Sequence, residues 1–361
     1  MRLILYMSKT DYKEEVNRLL MDALLGAFGE DAELRHEASL KGTPPTLVHV
    51  FGCWNRTAAA MIFKARRRDI PTVYSPLGGL MPWKLKEQKY DRQLKMLSFQ
   101  KRMTAEARAI LAFSKLEAEQ ILKSKWNERV QQTGNPFVTN QISEDEMLRK
   151  VHAFYQKVLD SNSSSLLDRN MLGIIGSLLQ ASLDKDAFLN EDHKARLLKA
   201  TQNLKDEDWR NIFLYASDEL IIDRLRQGIA YLKIPAPDIP LQEIDRFAPT
   251  HQYTGQSITM VGAEPEKVLA KVFRMLYSEV HHDSMPLSHL ADLYQILRFV
   301  NYDENEFENI IRKGRQEKFV ARILGTMAEI LNLTEGFMPI PPINDGETDK
   351  LIKNITKIRK L

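Results

Sequence analysis

The sequence predicts an α/β protein: a doubly wound parallel-sheet domain followed by an all-α domain. Three observations predict it. Through the first part of the chain, continuous apolar runs of strand length alternate with amphipathic segments of helix length. After residue 160 that alternation stops, and leucine-rich segments at helical spacing follow one another to Thr334. The 361 residues are 43% hydrophobic and 27% charged, a globular composition with length enough for two domains. The expected division is 1–160, 161–340, and a link with a basic C-terminal helix over 341–361.

The elements follow in order. "RLILYMS" (2–8) reads as a buried parallel strand. "DYKEEVNRLLMDALLGAF" (11–28) is a helix with Val16, Leu19, Leu20, Ala23 and Leu24 on its apolar face. Thr10 or Asp11 is its expected N-cap. A second strand is expected near 32–38 and a third at "TLVHVFG" (46–52), followed by a helix through "RTAAAMIFKARRR". "TVYSP" (72–76), a long basic helix over 83–104, "ARAILAFS" (107–114), a helix from Lys115 to Trp126 and "RVQQTGN" (129–135) complete the domain. Strands separated by helices of this length imply right-handed crossovers and a parallel sheet.

The helical half contains an internal echo at an offset of 98 residues. Residues 203–232 resemble 301–330, pairing Trp209 with Phe307, Ile212 with Ile310 and Arg224 with Arg322. A duplicated helical hairpin and a chance likeness of two amphipathic helix pairs both account for it. "IPAPDIP" (234–240) breaks the helical blocks, and an irregular segment runs on to Pro265.

Bulk properties exclude several classes. A net charge of +3 does not mark a nucleic-acid binder. Cys53 is the single cysteine, so no internal disulfide or cysteine metal cluster exists. His281, His282 and Asp283 lack a third ligand at helical spacing; "HHDSMP" reads instead as a helix end with an N-cap at Asp283 or Ser284. No metal and no cofactor is expected. His49, inside a strand, is read as a satisfied core histidine, and Cys53, without a histidine partner, as no nucleophile. The N-terminus lacks a signal peptide's long apolar region, and no stretch suits a membrane span. The expected location is the cytoplasm, with peripheral attachment to the inner face of the membrane.

Four ordered pieces between residues 44 and 160 resemble the N-terminal acceptor domain of glycosyltransferase family 4, the retaining enzymes of the GT-B fold. They are "LVHVFGCWN" (47–55), "DIPTVYSPLGGLMPWKL" (69–85), "ARAILAFSKLEAEQI" (107–121) and "GNPFVTNQIS" (134–143). The resemblance implies a Rossmann-like half of a GT-B fold, an acceptor pocket at the carboxyl ends of the strands, and no metal. Carried onto this chain, it makes Gly52, Ser75, Gly78, Gly79, Trp83 and Ser114 the candidate acceptor-binding residues. For Trp83, as for Trp54, packing of a helix onto the sheet is the competing role.

Three departures from the family pattern bear on activity. Leu77 stands where the family has a histidine, and leucine makes no hydrogen bond through its side chain. The first turn, "YMSKTDYKEEV", lacks the family's paired glycines. No glutamate has another eight positions later, and the donor-binding domain is replaced by helices. The catalytic residues are therefore unassigned.

Between Lys64 and Arg102 eleven positive residues face three negative ones. Arg66, Arg67, Arg68, Lys84, Lys86 and Lys89 are candidates to meet an anionic membrane or a lipid phosphate, against the simpler role of a solvated helix face. The functional expectation is a glycosyltransferase-like protein of bacterial surface polysaccharide or glycolipid assembly, lacking its donor domain. The alternative is a non-enzymatic binding or scaffolding protein that partners active glycosyltransferases. The expected partners are a glycan or lipid-linked acceptor, an anionic membrane surface and a partner glycosyltransferase, with no nucleic acid.

Overall fold

The structure, a computed structural model, describes residues 1–86, 90–186, 191–248, 253, 257–260, 262 and 264–358, with side chains for all but 86 and 90–92. It divides into two compact units: 1–162 with 244–248, and 163–243 with 249–361.

The first unit is built on a parallel sheet with strand order β2-β1-β3-β4-β5-β6. The strands are β1 (Leu3–Tyr6), β2 (Ala32–Arg35), β3 (Leu47–Phe51), β4 (Thr72–Ser75), β5 (Ala109–Ala112) and β6 (Val130–Gln132). The four central strands are buried at every position, which is why their sequences are continuous apolar runs and do not alternate. The edge strands β2 and β6 are partly exposed. The order reverses between β1 and β3, the kind of place where open parallel sheets take ligands.

The crossovers are α1 (Lys9–Tyr12) with α2 (Glu15–Phe28), then α3 (Arg56–Arg66), α4 (Pro82–Lys86), α5 (Tyr90–Lys95), α6 (Lys101–Glu106) and α7 (Lys115–Ser124). Helix α8 (Glu144–Asp160) completes the unit. Three local expectations need correction. The N-cap of the first turn is Ser8, whose hydroxyl accepts from the Asp11 N–H; neither Thr10 nor Asp11 fills that role. Helix α2 buries Asn17, Leu20, Met21 and Leu24, one step round from the expected face, and Leu19 is exposed. The basic helix is irregular: α5, a π-helical turn at Met96–Gln100 and α6 follow one another without a gap, and 87–89 lie outside the described residues. That turn brings Gln100 into the core, where its Oε1 accepts from the Trp54 N–H at 2.8 Å and its Nε2 donates to the Tyr74 hydroxyl at 3.0 Å.

The second unit is helical: α9 (Arg169–Leu183), α10 (Glu191–Gln202), α11 (Asp206–Asp218), α12 (Ile222–Leu232), α13 (Pro265–His281), α14 (Leu287–Phe299), α15 (Glu304–Lys313), α16 (Glu317–Leu331) and α17 (Gly346–Thr356). Helix α9 is its hub, and glycines set how closely the others approach. A Cβ on Gly228 of α12 would stand 2.0 Å from the Leu178 carbonyl oxygen, and one on Gly176 of α9 would stand 1.8 Å from that of Ile330 in α16. The two repeated segments form helix pairs, α11–α12 and α15–α16, that start 98 residues apart at Asp206 and Glu304. Trp209 and Phe307 are both buried, and Arg224 and Arg322 each pair with an aspartate, Asp292 and Asp345. The likeness fails at Asn211, which is buried where its counterpart Asn309 is exposed. The C-terminal helix α17, in which Glu347 and Asp349 balance Lys350 and Lys353, buries Ile352 and Ile355 in this core.

The expected cap at Asp283 or Ser284 is also corrected. Asp283 has a left-handed backbone, and α14 starts only at Leu287. The Leu287 N–H donates instead to the buried Glu219 carboxylate at 2.9 Å, a side chain from the end of α11. Much of the irregular segment before Pro265 lies outside the described residues.

Candidate functional site

The turn after β4, Pro76–Met81, is where the sequence places ligand chemistry. Leu77 and Gly78 both have positive φ, 52° and 79°, and the Gly79 N–H closes the turn onto the Pro76 carbonyl at 3.0 Å. Such a conformation aims backbone N–H groups at one point. Here that point is filled from within. The Glu117 carboxylate, on the first turn of α7, accepts from the Gly78 N–H through Oε2 and from the Leu80 N–H through Oε1, both at 3.0 Å. Ser114 caps that helix and its hydroxyl accepts from the Glu117 N–H, which fixes where the carboxylate points. Glu117 is fully buried. Burial pushes its carboxyl above the usual carboxylate range, against the two N–H bonds and the Lys84 charge, which favour the anion.

Beside this turn, at the carboxyl ends of the strands, lies a cavity of about 480 Å³. Leu77, Met81 and Phe113 form its apolar wall, and Asn17, Ser114 and Asn135 are among its polar residues. Asn135 is nine-tenths buried. Its side-chain oxygen accepts from the Phe137 N–H at 3.0 Å, and among the described residues no protein acceptor meets its Nδ2. Asn17 donates through Nδ2 to the Asp11 carbonyl and to Glu14. The cavity can therefore hold a small ligand that offers hydroxyls on one side and a hydrocarbon face on the other.

Of the six acceptor candidates, the structure brings Gly78 and Ser114 into this cavity. Gly52, with φ of 96°, is explained by packing: a Cβ there would stand 2.6 Å from Asp11 Oδ2. Gly79 is likewise a packing glycine, since its Cβ would stand 2.3 Å from that of Cys53. Ser75 is fully buried and is not among the residues lining this cavity. Its hydroxyl donates to the Leu111 carbonyl at 2.6 Å, so His49, 2.8 Å away, must donate to it from Nε2. The other ring nitrogen, Nδ1, then accepts from the Tyr155 hydroxyl at 2.6 Å. His49 is thus a satisfied core histidine, and burial holds it well below the usual imidazole range. Trp83 is 49% exposed and lies outside the cavity lining, whereas Trp54 packs into the core cluster with its indole N–H on the Gly79 carbonyl. Cys53 bonds the Tyr74 hydroxyl at 3.1 Å, and burial pushes its thiol up, away from the reactive thiolate.

The sequence reading missed Asn17 and Asn135 as cavity residues. Asn135 carried a signal, the Asn-Pro turn after β6; Asn17 sat unmarked on the buried face of α2.

The basic candidates are partly committed within the unit. Arg66 pairs with Glu106 at 2.9 Å, and Arg68 donates to the Leu40 carbonyl at 2.6 Å. Arg67 and Lys84 are exposed; the Lys86 side chain and Lys89 lie outside the described residues. His281 and His282 are exposed, with their Nδ1 atoms on the backbone carbonyls of Tyr277 and Ser278. Among the described residues no three histidine, cysteine or acidic side chains are grouped to hold a metal.

No helix among the described residues is long and apolar enough to cross a membrane. No family model matches the chain, nor does any curated protein or solved structure. The glycosyltransferase resemblance therefore rests on the four ordered sequence pieces.

Proposed function

We propose that the α/β unit is a non-catalytic binding module of glycosyltransferase-like ancestry, which holds a small hydroxylated ligand in the cavity beside the β4 turn. One observation carries the reading. The Gly78 and Leu80 N–H groups, the donors that would meet a phosphate or a developing negative charge, are taken by the Glu117 carboxylate. An oxyanion placed there would face a carboxylate, not a ring of donors. Leu77 borders the same cavity and adds no hydrogen bond. The cavity itself supports binding, through the open Asn135 amide and the apolar wall. A glycan or lipid-linked acceptor fits this chemistry, and a partner glycosyltransferase would supply transfer.

The test is sugar transfer and acceptor binding measured together. The chain alone transfers no sugar from nucleotide-sugar donors to oligosaccharide or lipid-linked acceptors. It binds a lipid-linked acceptor, and Val138→Arg, at an exposed position on the cavity wall, abolishes that binding without unfolding the chain. Turnover by the isolated chain overturns the proposal.

A second observation favours attachment to an anionic lipid surface. Trp83, Leu94 and Leu97 are 49%, 56% and 82% exposed on consecutive helical segments, with Lys84, Lys95 and Lys101 beside them in sequence. Apolar side chains flanked by lysines suit the interfacial layer of a bilayer. Sedimentation with vesicles containing anionic lipid is expected to carry the chain down, and Leu97→Glu to release it; equal recovery with neutral vesicles argues against it.

A further inference from the structure

The helical unit has a cleft that the α/β reading does not use. Its volume is about 1180 Å³, and it lies along α9 and α10, with Tyr294 and Arg298 of α14 and the segment after α16. We infer that this cleft is a binding site for a neutral saccharide.

The charge in the cleft decides the class of ligand. Three aspartates, Asp168, Asp184 and Asp186, line it against three arginines, Arg169, Arg196 and Arg298. The acids and bases cancel, and several are already paired. Arg169 is bound to Glu329 at 2.5 Å, and the Asp168 side chain caps α9. A polyanion would gain little from such a lining, and its cost of leaving water would go unmatched.

What the cleft offers is planar hydrogen-bonding groups beside the Phe337 ring. Arg298 donates from Nε to the buried Asp184 carboxylate at 2.7 Å, and its guanidinium carbon stands 3.8 Å from the centre of the Phe337 ring. The ion pair and the ring hold the group in one orientation, and among the described residues no protein acceptor meets its two Nη groups. Gln180, nine-tenths buried, and Asn332 face one another through their amides at 3.3 Å, with a second contact at 3.4 Å to the Asn332 backbone. Those distances are at the long end for hydrogen bonds, so a better partner readily replaces them. Amide and guanidinium edges match the spacing of adjacent hydroxyls on a sugar ring, and the half-buried Phe337 ring supplies apolar surface for its C–H face.

The site lies wholly within the helical unit, so its test is independent of the α/β cavity. Asn332 has a left-handed backbone, with φ of 52°, which glycine adopts freely; Asn332→Gly therefore removes the amide and keeps the fold. Calorimetric titration with maltose, cellobiose, lactose and sucrose is expected to show binding of at least one. Its affinity should fall about five- to tenfold in Asn332→Gly, as for loss of one or two hydrogen bonds. The same affinity should stay unchanged in Val138→Arg. Four results overturn the inference: no disaccharide binds, glucose 6-phosphate binds in their place, Val138→Arg removes the binding, or Asn332→Gly leaves it untouched. Of these, the Val138→Arg result would move the saccharide to the α/β unit without harming the reading of that unit.

Discussion

Glu117 and Gly78 are joined by a 3.0 Å hydrogen bond from the Gly78 N–H to the carboxylate, and the Leu80 N–H meets the other oxygen at the same distance. The glycine-bearing turn is thereby locked by a side chain 39 residues later in sequence. The backbone donors of the turn are held by a carboxylate of the same unit.

Glu117→Ala leaves both N–H groups without their acceptor. The cost is expected to be about 2–4 kcal/mol, the sum of two weakly compensated buried donors. Glu117→Gln keeps one acceptor oxygen and is expected to lose less. Urea unfolding of both variants checks the order, and equal losses would mean that the carboxylate does not hold the turn.

Gly52→Ala tests the close approach of Asp11. The new methyl group would meet Asp11 Oδ2 at 2.6 Å in a backbone with φ of 96°. A loss of about 1–3 kcal/mol is expected. Asp11→Ala combined with it should recover part of that loss, because the contact disappears while the backbone strain stays. Thermal unfolding of the two single variants and the double measures the coupling.

Helix α9 offers an internal control for helix approach. Gly176→Ala and Gly228→Ala each drive a methyl group into a carbonyl oxygen, at 1.8 Å and 2.0 Å, and are expected to cost about 2–3 kcal/mol or more. Gly173→Ala, on the same helix as Gly176, meets nothing within 4 Å and is expected to stabilise by about 0.5–1 kcal/mol. Opposite signs within one helix, read by denaturant unfolding, check the packing account.

Glu219 gives the helical unit a pH dependence. Burial pushes its carboxyl from 4.5 up to about 8, against its bonds from Leu287 and Tyr253. The folded state therefore keeps a proton that the unfolded state releases. This contribution is full below the unfolded value and is lost as pH rises through the folded one. Stability measured from about pH 5 to about pH 8 is expected to fall with rising pH for this group, and Glu219→Gln to flatten the slope. An unchanged slope in the variant would remove Glu219 as its source.

Much of this fold was legible because burial writes itself into the sequence. The runs at Leu3–Tyr6, Leu47–Phe51, Thr72–Ser75 and Ala109–Ala112 are apolar almost throughout, since both faces of those strands are covered. The caps were less legible, because a cap is chosen by backbone geometry among several polar neighbours; Ser8 serves where Thr10 and Asp11 stood as readily available. Glu219 capping α14 was beyond reach, since the two partners lie 68 residues apart. The site divided in the same way. Gly78 and Ser114 follow from local turn and cap chemistry, while Gly52 and Gly79 carry the same residue type for a packing reason that only the neighbours Asp11 and Cys53 reveal. Ser75 sits at the end of its strand as expected, but the His49–Tyr155 chain turns it inward.

The central claim is that the α/β unit binds without carrying out transfer, because Glu117 occupies the donors of the β4 turn. Calorimetric titration of the chain with UDP-glucose, UDP-N-acetylglucosamine and GDP-mannose tests it most directly. The account predicts no micromolar binding of any of the three. Micromolar binding that Glu117→Gln alters would contradict it, and would place a nucleotide-sugar phosphate on the turn that the carboxylate is held to fill.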